Sequence, residues 1–265
     1  MKITGVVHVH SSYSYDGKES LLSLRDFLVS KGISFCCLTE HTDFLTVEQA
    51  QLFVQECKAL TTGSFVFIPG FEVPYKNAHI LQIGTEVFLG QKADEIMLRE
   101  WSKKSALTVL AHPVRNAFTL DTAMEEVIDG IEIWNQQYEG KLVPRTRSVS
   151  LFKKLQNKNQ QLLATCGLDF HRREHFGSPI YTLELSSLSK DSILTALQNG
   201  EYVFGRGGVS VSSSGLWRND NSVAYLLQSF CSVGIITLGK SVNLLLALFG
   251  LKLPKWIKYF VRSRV

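Results

Sequence analysis

The strongest constraint on the fold of this 265-residue chain is an alternation that runs from its first residues to about residue 205. Short apolar runs take turns with amphipathic stretches of helical length. KITGVVHV reads as a strand and SLLSLRDFLVSKG as a helix closed by Gly32. ISFCCLTEH, SFVFIPGFEV, HILQIGTEVF, ALTVLAHP, GIEIWN, QQLLATCGLDFH, IYTLELSSL and EYVFG read as further strands. TVEQAQLFVQECKAL, KADEIMLREWSKKS, LDTAMEEVID, VPRTRSVSLFKKLQNK and KDSILTALQNG read as helices between them. Strands buried on both faces and alternating with helices predict a parallel α/β arrangement. About seven or eight such units in roughly 210 residues suit a closed barrel better than an open sheet.

The pattern stops after residue 210. SVSSSG and WRNDNS read as a polar linker over 211–222, and a different kind of sequence follows over 223–265. That tail holds Lys240, Lys252, Lys255, Lys258, Arg262 and Arg264 and no Asp or Glu. Removing those six from the 28 basic residues leaves 22 against 24 acidic ones in 1–222, so the body is nearly neutral. No stable complex with long nucleic acid is therefore expected of it. The tail divides at Lys240 into two apolar segments and ends in PKWIKYFVRSR, an aromatic and basic pattern suited to a membrane surface. Helices that cover the body or form a homodimer interface are the competing reading.

The five cysteines (Cys36, Cys37, Cys57, Cys166, Cys231) are odd in number and lack CxxC spacing, which predicts reduced thiols. No basic segment followed by an apolar run opens the sequence, so no secretory signal is expected. The expectation is a cytoplasmic protein, peripheral to the membrane if its tail binds there.

The histidines stand in particular places. VVHVH, CCLTEH, VLAHP and CGLDFH each carry an apolar run into a histidine, and His79 opens HILQI. Carboxylates accompany them: Asp16, Glu40 and Asp43, Glu72 in PGFEV, and Asp169. Strand C-termini form the functional face of parallel α/β barrels. A lone histidine there is commonly structural, but imidazole and carboxylate accumulated at several strand ends suit Zn, Mn or Fe. Alternate residues on a strand share a face, so His8 and His10 are expected to hold one ion together, and Asp169 and His171 repeat that spacing.

In that order, HVHSSYSYDG, LTEHTD, PGFE, LAHP and GLDFH resemble the motif series of the PHP (polymerase and histidinol phosphatase) family, over about residues 1–207. The resemblance implies a distorted, TIM-like (β/α)7 barrel over 1–210, with the apolar, basic tail as an extra helical element. It implies a trinuclear centre at the strand C-termini holding up to three Mn, Fe or Zn ions. His8, His10, Glu72 and Asp169 would hold the first; Asp16, His41 and His171 the second; Glu72 would bridge to a third completed by His79 and His112. Many relatives carry Asp-His where this chain has Glu40-His41, and some carry Asp at the position of His8. His175 is the histidine left over.

The resemblance further implies a metal-dependent phosphatase acting on a small phosphomonoester or a nucleotide or oligonucleotide end. Metal-activated water would be the nucleophile, with His8, His10, Asp16, His41, Glu72, Asp169 and His171 as the catalytic set. GxSxG is absent, and no role falls to a P-loop or a reactive cysteine. Arg115 in AHPVRN, Arg172 after DFH and Arg206 in VFGRGG are candidates for phosphate contact. Tyr13 and Tyr15 are candidates for stacking on a ring at the entrance, with turn packing as the alternative. Within the same family, a phosphotyrosine-protein phosphatase or an exonuclease stands as an alternative. A non-catalytic metal-binding module and a membrane-associated scaffold are the alternatives from other classes.

Overall fold

The structure, a computed structural model, describes residues 1–138, 143–177 and 179–219. Strands β1 (Lys2–Val9), β2 (Phe35–Leu38), β3 (Glu40–His41), β4 (Val66–Ile68), β5 (Gly70–Tyr75), β6 (Ala78–Ile83) and β7 (Leu107–Leu110) come first. Strands β8 (Gly130–Asn135), β9 (Leu163–Gly167), β10 (Ile180–Glu184), β11 (Tyr202–Arg206), β12 (Val209–Ser212) and β13 (Trp217–Asn219) follow. The helices are α1 (Leu21–Ser30), α2 (Val47–Leu60), α3 (Glu95–Lys104), α4 (Thr122–Val127), α5 (Thr146–Gln156) and α6 (Lys190–Gln198). Local chemistry explains their limits. Ser20 caps α1 by accepting from the Ser23 N–H, and Thr46 and Gln49 form a reciprocal capping box at the start of α2. Leu21, Leu24 and Leu28 recur at helical spacing and anchor α1 in a core with Val6, Cys36 and Phe170. Each buried leucine contributes about 1.5–3 kcal/mol relative to exposure.

The mixed α/β class and the order of elements follow the sequence pattern; the single closed barrel does not. The strands form two sheets, in the orders β13-β12-β11-β10-β1-β2-β4 and β3-β5-β6-β7-β8-β9. Two runs expected as single strands are broken, at Thr39 and at Pro69, and each break passes the chain from one sheet to the other. Pro69 has no N–H to give to a ladder. Nor is the arrangement purely parallel. β1–β2, β2–β4, β3–β5, β7–β8 and β8–β9 are parallel, whereas β5–β6, β6–β7 and β1–β10 are antiparallel. The connection from β5 to β6 is Lys76 and Asn77 alone, too short for a crossover, so the chain must turn back on itself.

The sheets meet along β1 and the residues after β9. The Leu168 N–H donates to the Val7 carbonyl at 3.0 Å, the Phe170 N–H to that of His8 at 3.2 Å, and the His10 N–H to that of Phe170 at 2.8 Å.

The expected linker over 211–222 begins inside a sheet, because β12 pairs with both β11 and β13 and buries Val209 and Val211. Residues 220–265, including the tail and Cys231, lie outside the described residues. Cys36, Cys37, Cys57 and Cys166 are buried free thiols. Among the described residues no helix is long and apolar enough to cross a membrane.

Candidate metal centre

β1 does not end as a regular strand. His8 takes a left-handed backbone with φ 61°, and the register against β2 shifts between Val7 and Val9. The two imidazoles of HVH still converge, through this irregularity and not through plain strand alternation. The Nε2 atoms of His8 and His10 each lie 3.2 Å from Glu72 Oε2. Asp169 and His171 do not repeat a strand pair either. They follow β9, Asp169 has φ 51°, and Asp169 Oδ1 stands 3.6 Å from both His8 Nε2 and His171 Nδ1. His112, beyond β7, has φ 25°. A non-glycine residue held left-handed costs about 1–3 kcal/mol, and such strain collects where geometry serves a site.

Glu72 is the hub. The β5–β6 hairpin sets Pro74 opposite His79, which brings His79 back beside Glu72. Glu72 Oε1 lies 2.5 Å from His79 Nδ1 and 3.0 Å from His112 Nε2, and Oε2 lies 3.3 Å from His41 Nδ1. Burial opposes ionisation of Glu72, but the surrounding imidazoles, His8 and His41 foremost, hold its pKa well below the usual carboxylate range.

Asp16 closes the third side. Gly17 packs so tightly that a Cβ there would lie 1.8 Å from the Ser11 carbonyl oxygen, and only glycine allows the loop to fold back this far. Asp16 then reaches His171 Nε2 at 3.2 Å and His41 Nε2 at 3.7 Å. The His10 ring lies 4.3 Å from both the His41 and the His171 ring, and those two are 5.7 Å apart.

All nine residues named from the sequence are thus brought together. The ligand atoms of eight of them gather as His10–His41–His171, His8–His10–Glu72, His8–His112–Asp169 and His41–Glu72–His79, with the atoms of each group within 4.8 Å of one another, and Asp16 joins through His41 and His171. His10 Nε2, His41 Nδ1, His171 Nε2 and Asp16 Oδ1 are buried without a hydrogen-bond partner. Buried polar atoms are normally satisfied, so lone pairs converging unpaired fit divalent cations with nitrogen and oxygen preference. Burial, together with His41 and His171, pushes the His10 pKa down to about 3 and keeps its imidazole in the neutral form that ligates. Burial works against a charge on His8 as well, but Glu132, Glu72 and Asp169 outweigh it and raise its pKa well above the usual value.

Two carboxylates support the site from behind: Glu132, which the sequence reading did not name, and Glu40, which it noted beside His41. Glu132, in the middle of β8, is fully buried. Its Oε1 lies 2.7 Å from His8 Nδ1, and its Oε2 accepts from the His112 N–H at 2.8 Å and from Asn135 Nδ2 at 2.9 Å. A Cβ on Gly167 would fall 1.9 Å from Glu132 Oε1, so the glycine of GLDFH makes room for this carboxylate. The available signal was a Glu flanked by isoleucines in GIEIWN, since a charge inside an apolar strand is rarely buried unpaired. Glu40 accepts from the Ser11 N–H at 3.0 Å, from Ser11 Oγ at 2.6 Å and from Ser14 Oγ at 2.5 Å. Ser14 Oγ in turn accepts from the His41 N–H at 2.9 Å and stands 3.2 Å from His10 Nδ1. Burial raises the Glu40 pKa to about 7 against the pull of these hydrogen bonds.

The other candidates separate. The Arg115 guanidinium lies over the Tyr138 ring at 5.6 Å and, with Lys76, Asn77, His79 and Asn116, lines a cavity of about 480 Å³ beside the histidines. Arg172 donates from Nε to His175 Nε2 at 3.0 Å, so its guanidinium is engaged next to His171. Arg206 ends β11, which β10 separates from β1. Tyr13 is structural: its hydroxyl donates to Glu56 at 2.8 Å and its ring packs on Phe53.

Two further patterns known from other phosphate-handling proteins are present in the sequence. Cys166 and Arg172 have the Cys-X5-Arg spacing of thiol phosphatases. However, Cys166 is buried in β9 and burial pushes its pKa well up, which leaves no thiolate to attack. GIITLGKS, at 234–241, fits GxxxxGK[ST] but lies outside the described residues.

The model of the family described as PHP domain matches residues 7–197. No curated protein matches the sequence. Among solved structures, the chain resembles a two-domain protein from Bacteroides vulgatus containing a predicted PHP-like metal-dependent phosphoesterase. The TM-score is 0.61 at 19% identity, covering 80% of this chain and 67% of that one. It also resembles the lesion-specific endonuclease EndoQ of Pyrococcus furiosus, with a TM-score of 0.53 at 15% identity, covering 80% of this chain and 59% of that one. At these identities the likeness is one of fold.

Proposed function

Because the chain belongs to the PHP domain family, we propose that it is a metal-dependent phosphatase that hydrolyses a small phosphomonoester. The observation that carries this reading is the gathering of imidazoles and carboxylates about the buried Glu72, with Asp16 joined to it through His41 and His171. In this reading His8, His10, Glu72 and Asp169 hold one ion, Asp16, His41 and His171 a second, and Glu72, His79 and His112 a third. Bound divalent ions would supply an activated water and positive charge opposite the phosphate oxygens.

The chain's own groups supply the rest. Glu132 holds Nδ1 of His8 and turns Nε2 toward the centre, and Ser14 and Glu40 set His10 and the backbone at His41. Arg115, of the three arginines, lines the cavity beside His79 and is placed to meet a phosphate oxygen with a guanidinium fork. That cavity suits a small leaving group, and the near-neutral body disfavours a long polyanion. In the same reading the two sheets are a (β/α)7 barrel opened at its seams, which the hydrogen bonds between β1 and residues 168–170 support.

The test is metal analysis of the purified protein together with hydrolysis of an aryl phosphate. The His8→Ala, His10→Ala double variant is expected to lose metal and nearly all hydrolysis. Metal binding without hydrolysis of any phosphoester would favour a non-catalytic module. Full activity after metal stripping would defeat the proposal.

A further inference from the structure

Two large apolar side chains stand in solvent at the mouth of the centre. Tyr15 is 61% exposed and Phe44 is 72% exposed. They meet edge to face, with ring centroids 5.3 Å apart. One face of Tyr15 stacks on the His41 imidazole at 5.1 Å and 26°. The arrangement is specific to Tyr15, because Tyr13, two residues earlier in the same loop, turns inward onto Phe53 and Glu56. Across the centre, the ring of Tyr138 lies 5.0 Å from that of His112, with Arg115 over it. Aromatic rings thus border the histidine cluster on two sides.

A single exposed apolar side chain needs no explanation, but a contacting pair seated against a candidate ligand forms a patch beside the reaction site. Stacking on His41 holds Tyr15 in one orientation, so the exposed part of its ring has little entropy left to lose on binding. A flat aromatic surface of this kind attracts another planar ring.

We propose that Tyr15 and Phe44 form an aromatic shelf that binds a planar ring carried by the leaving group of the substrate. The shelf rests on the phosphatase reading above and narrows its substrate class. A nucleoside monophosphate and a phosphotyrosine peptide both present such a ring; a glycerol or sugar phosphate does not.

The experiment compares kcat and KM for these three kinds of ester on the metal-loaded full-length protein and on Tyr15→Ala, Phe44→Ala, the double variant and Tyr15→Phe. Both side chains are exposed, so the variants should fold, and metal content measured alongside separates loss of the centre from loss of the shelf. The double alanine variant is expected to lose roughly five- to a hundredfold in kcat/KM on at least one ring-bearing ester, chiefly through KM. That is the range of stacking a base on an aromatic side chain. The loss on the ring-free ester should be at least fivefold smaller, and Tyr15→Phe should retain the preference. Which ring-bearing ester is affected more identifies the source of the ring. Equal losses on all three esters, or none on any, would overturn the shelf and leave the phosphatase reading standing. If the native protein hydrolyses none of them, that reading fails. Calorimetric binding of the same esters then still decides whether the two rings hold an aromatic ligand.

Discussion

Oε1 of Glu132 lies 2.7 Å from Nδ1 of His8, and neither side chain reaches solvent. With Nδ1 engaged by this carboxylate, Nε2, which faces Glu72 and Asp169, is the atom His8 would offer to a metal. Carboxylates behind metal-bound histidines orient the ring in this way and raise its basicity.

Glu132→Gln tests that assignment. Its amide oxygen would keep the bonds from His112 and Asn135, which turns the NH2 toward His8 and reverses the imidazole tautomer. Metal affinity is expected to fall about 10- to 100-fold, with the fold retained. Titration of stripped protein with Mn or Zn measures it, and unchanged affinity would remove Glu132 from the site. Gly167→Ala should have a related effect, because its Cβ would overlap the same carboxylate.

Glu40 is expected to act through the loop that carries Asp16. Glu40→Ala strands the Ser11 N–H and the two serine hydroxyls, which costs about 1–3 kcal/mol for buried groups left unpaired. Thermal unfolding should show the loss, and metal bound through Asp16, His41 and His171 should weaken with it. A variant as stable as the parent and equally well loaded with metal would show the clamp to be dispensable.

Loading should release protons. In the metal-free protein Glu132, Glu72 and Asp169 raise the His8 pKa against the opposing effect of burial, which favours the protonated imidazole. An ion taking Nε2 must displace that proton, so affinity should rise with pH until that raised pKa is passed. Calorimetry in two buffers of different ionisation enthalpy counts the protons; identical heats in both would contradict the expectation.

The body should not need residues beyond 219. A chain shortened after Asn219 keeps β13 paired to β12 and is expected to fold and bind metal. A chain shortened after Gly208 loses the buried Val209 and Val211 and should aggregate or unfold. Comparing the full chain with the 219 truncation then assigns 223–265. Pelleting with anionic vesicles by the full chain alone marks a membrane segment, and a change in sedimentation mass marks a dimer element.

The sequence by itself determined the alternation of strands and helices through residue 206 and displayed the imidazole and carboxylate residues that gather beside Glu72. Both are local properties: apolar periodicity is written along the chain, and imidazole and carboxylate announce their chemistry wherever they stand. Only the tertiary structure decided how these residues are held. Glu132 and His8 are 124 positions apart, and nothing at either position specifies the other. The left-handed backbones at His8, His112 and Asp169 violate the local preferences of those residues and persist because packing and hydrogen bonds around them outweigh the strain. The two-sheet arrangement has the same origin. A missing N–H at Pro69 and a two-residue turn at Lys76–Asn77 are small local events, but they redirect which strands can pair, and strand pairing is a contact between distant parts of the chain.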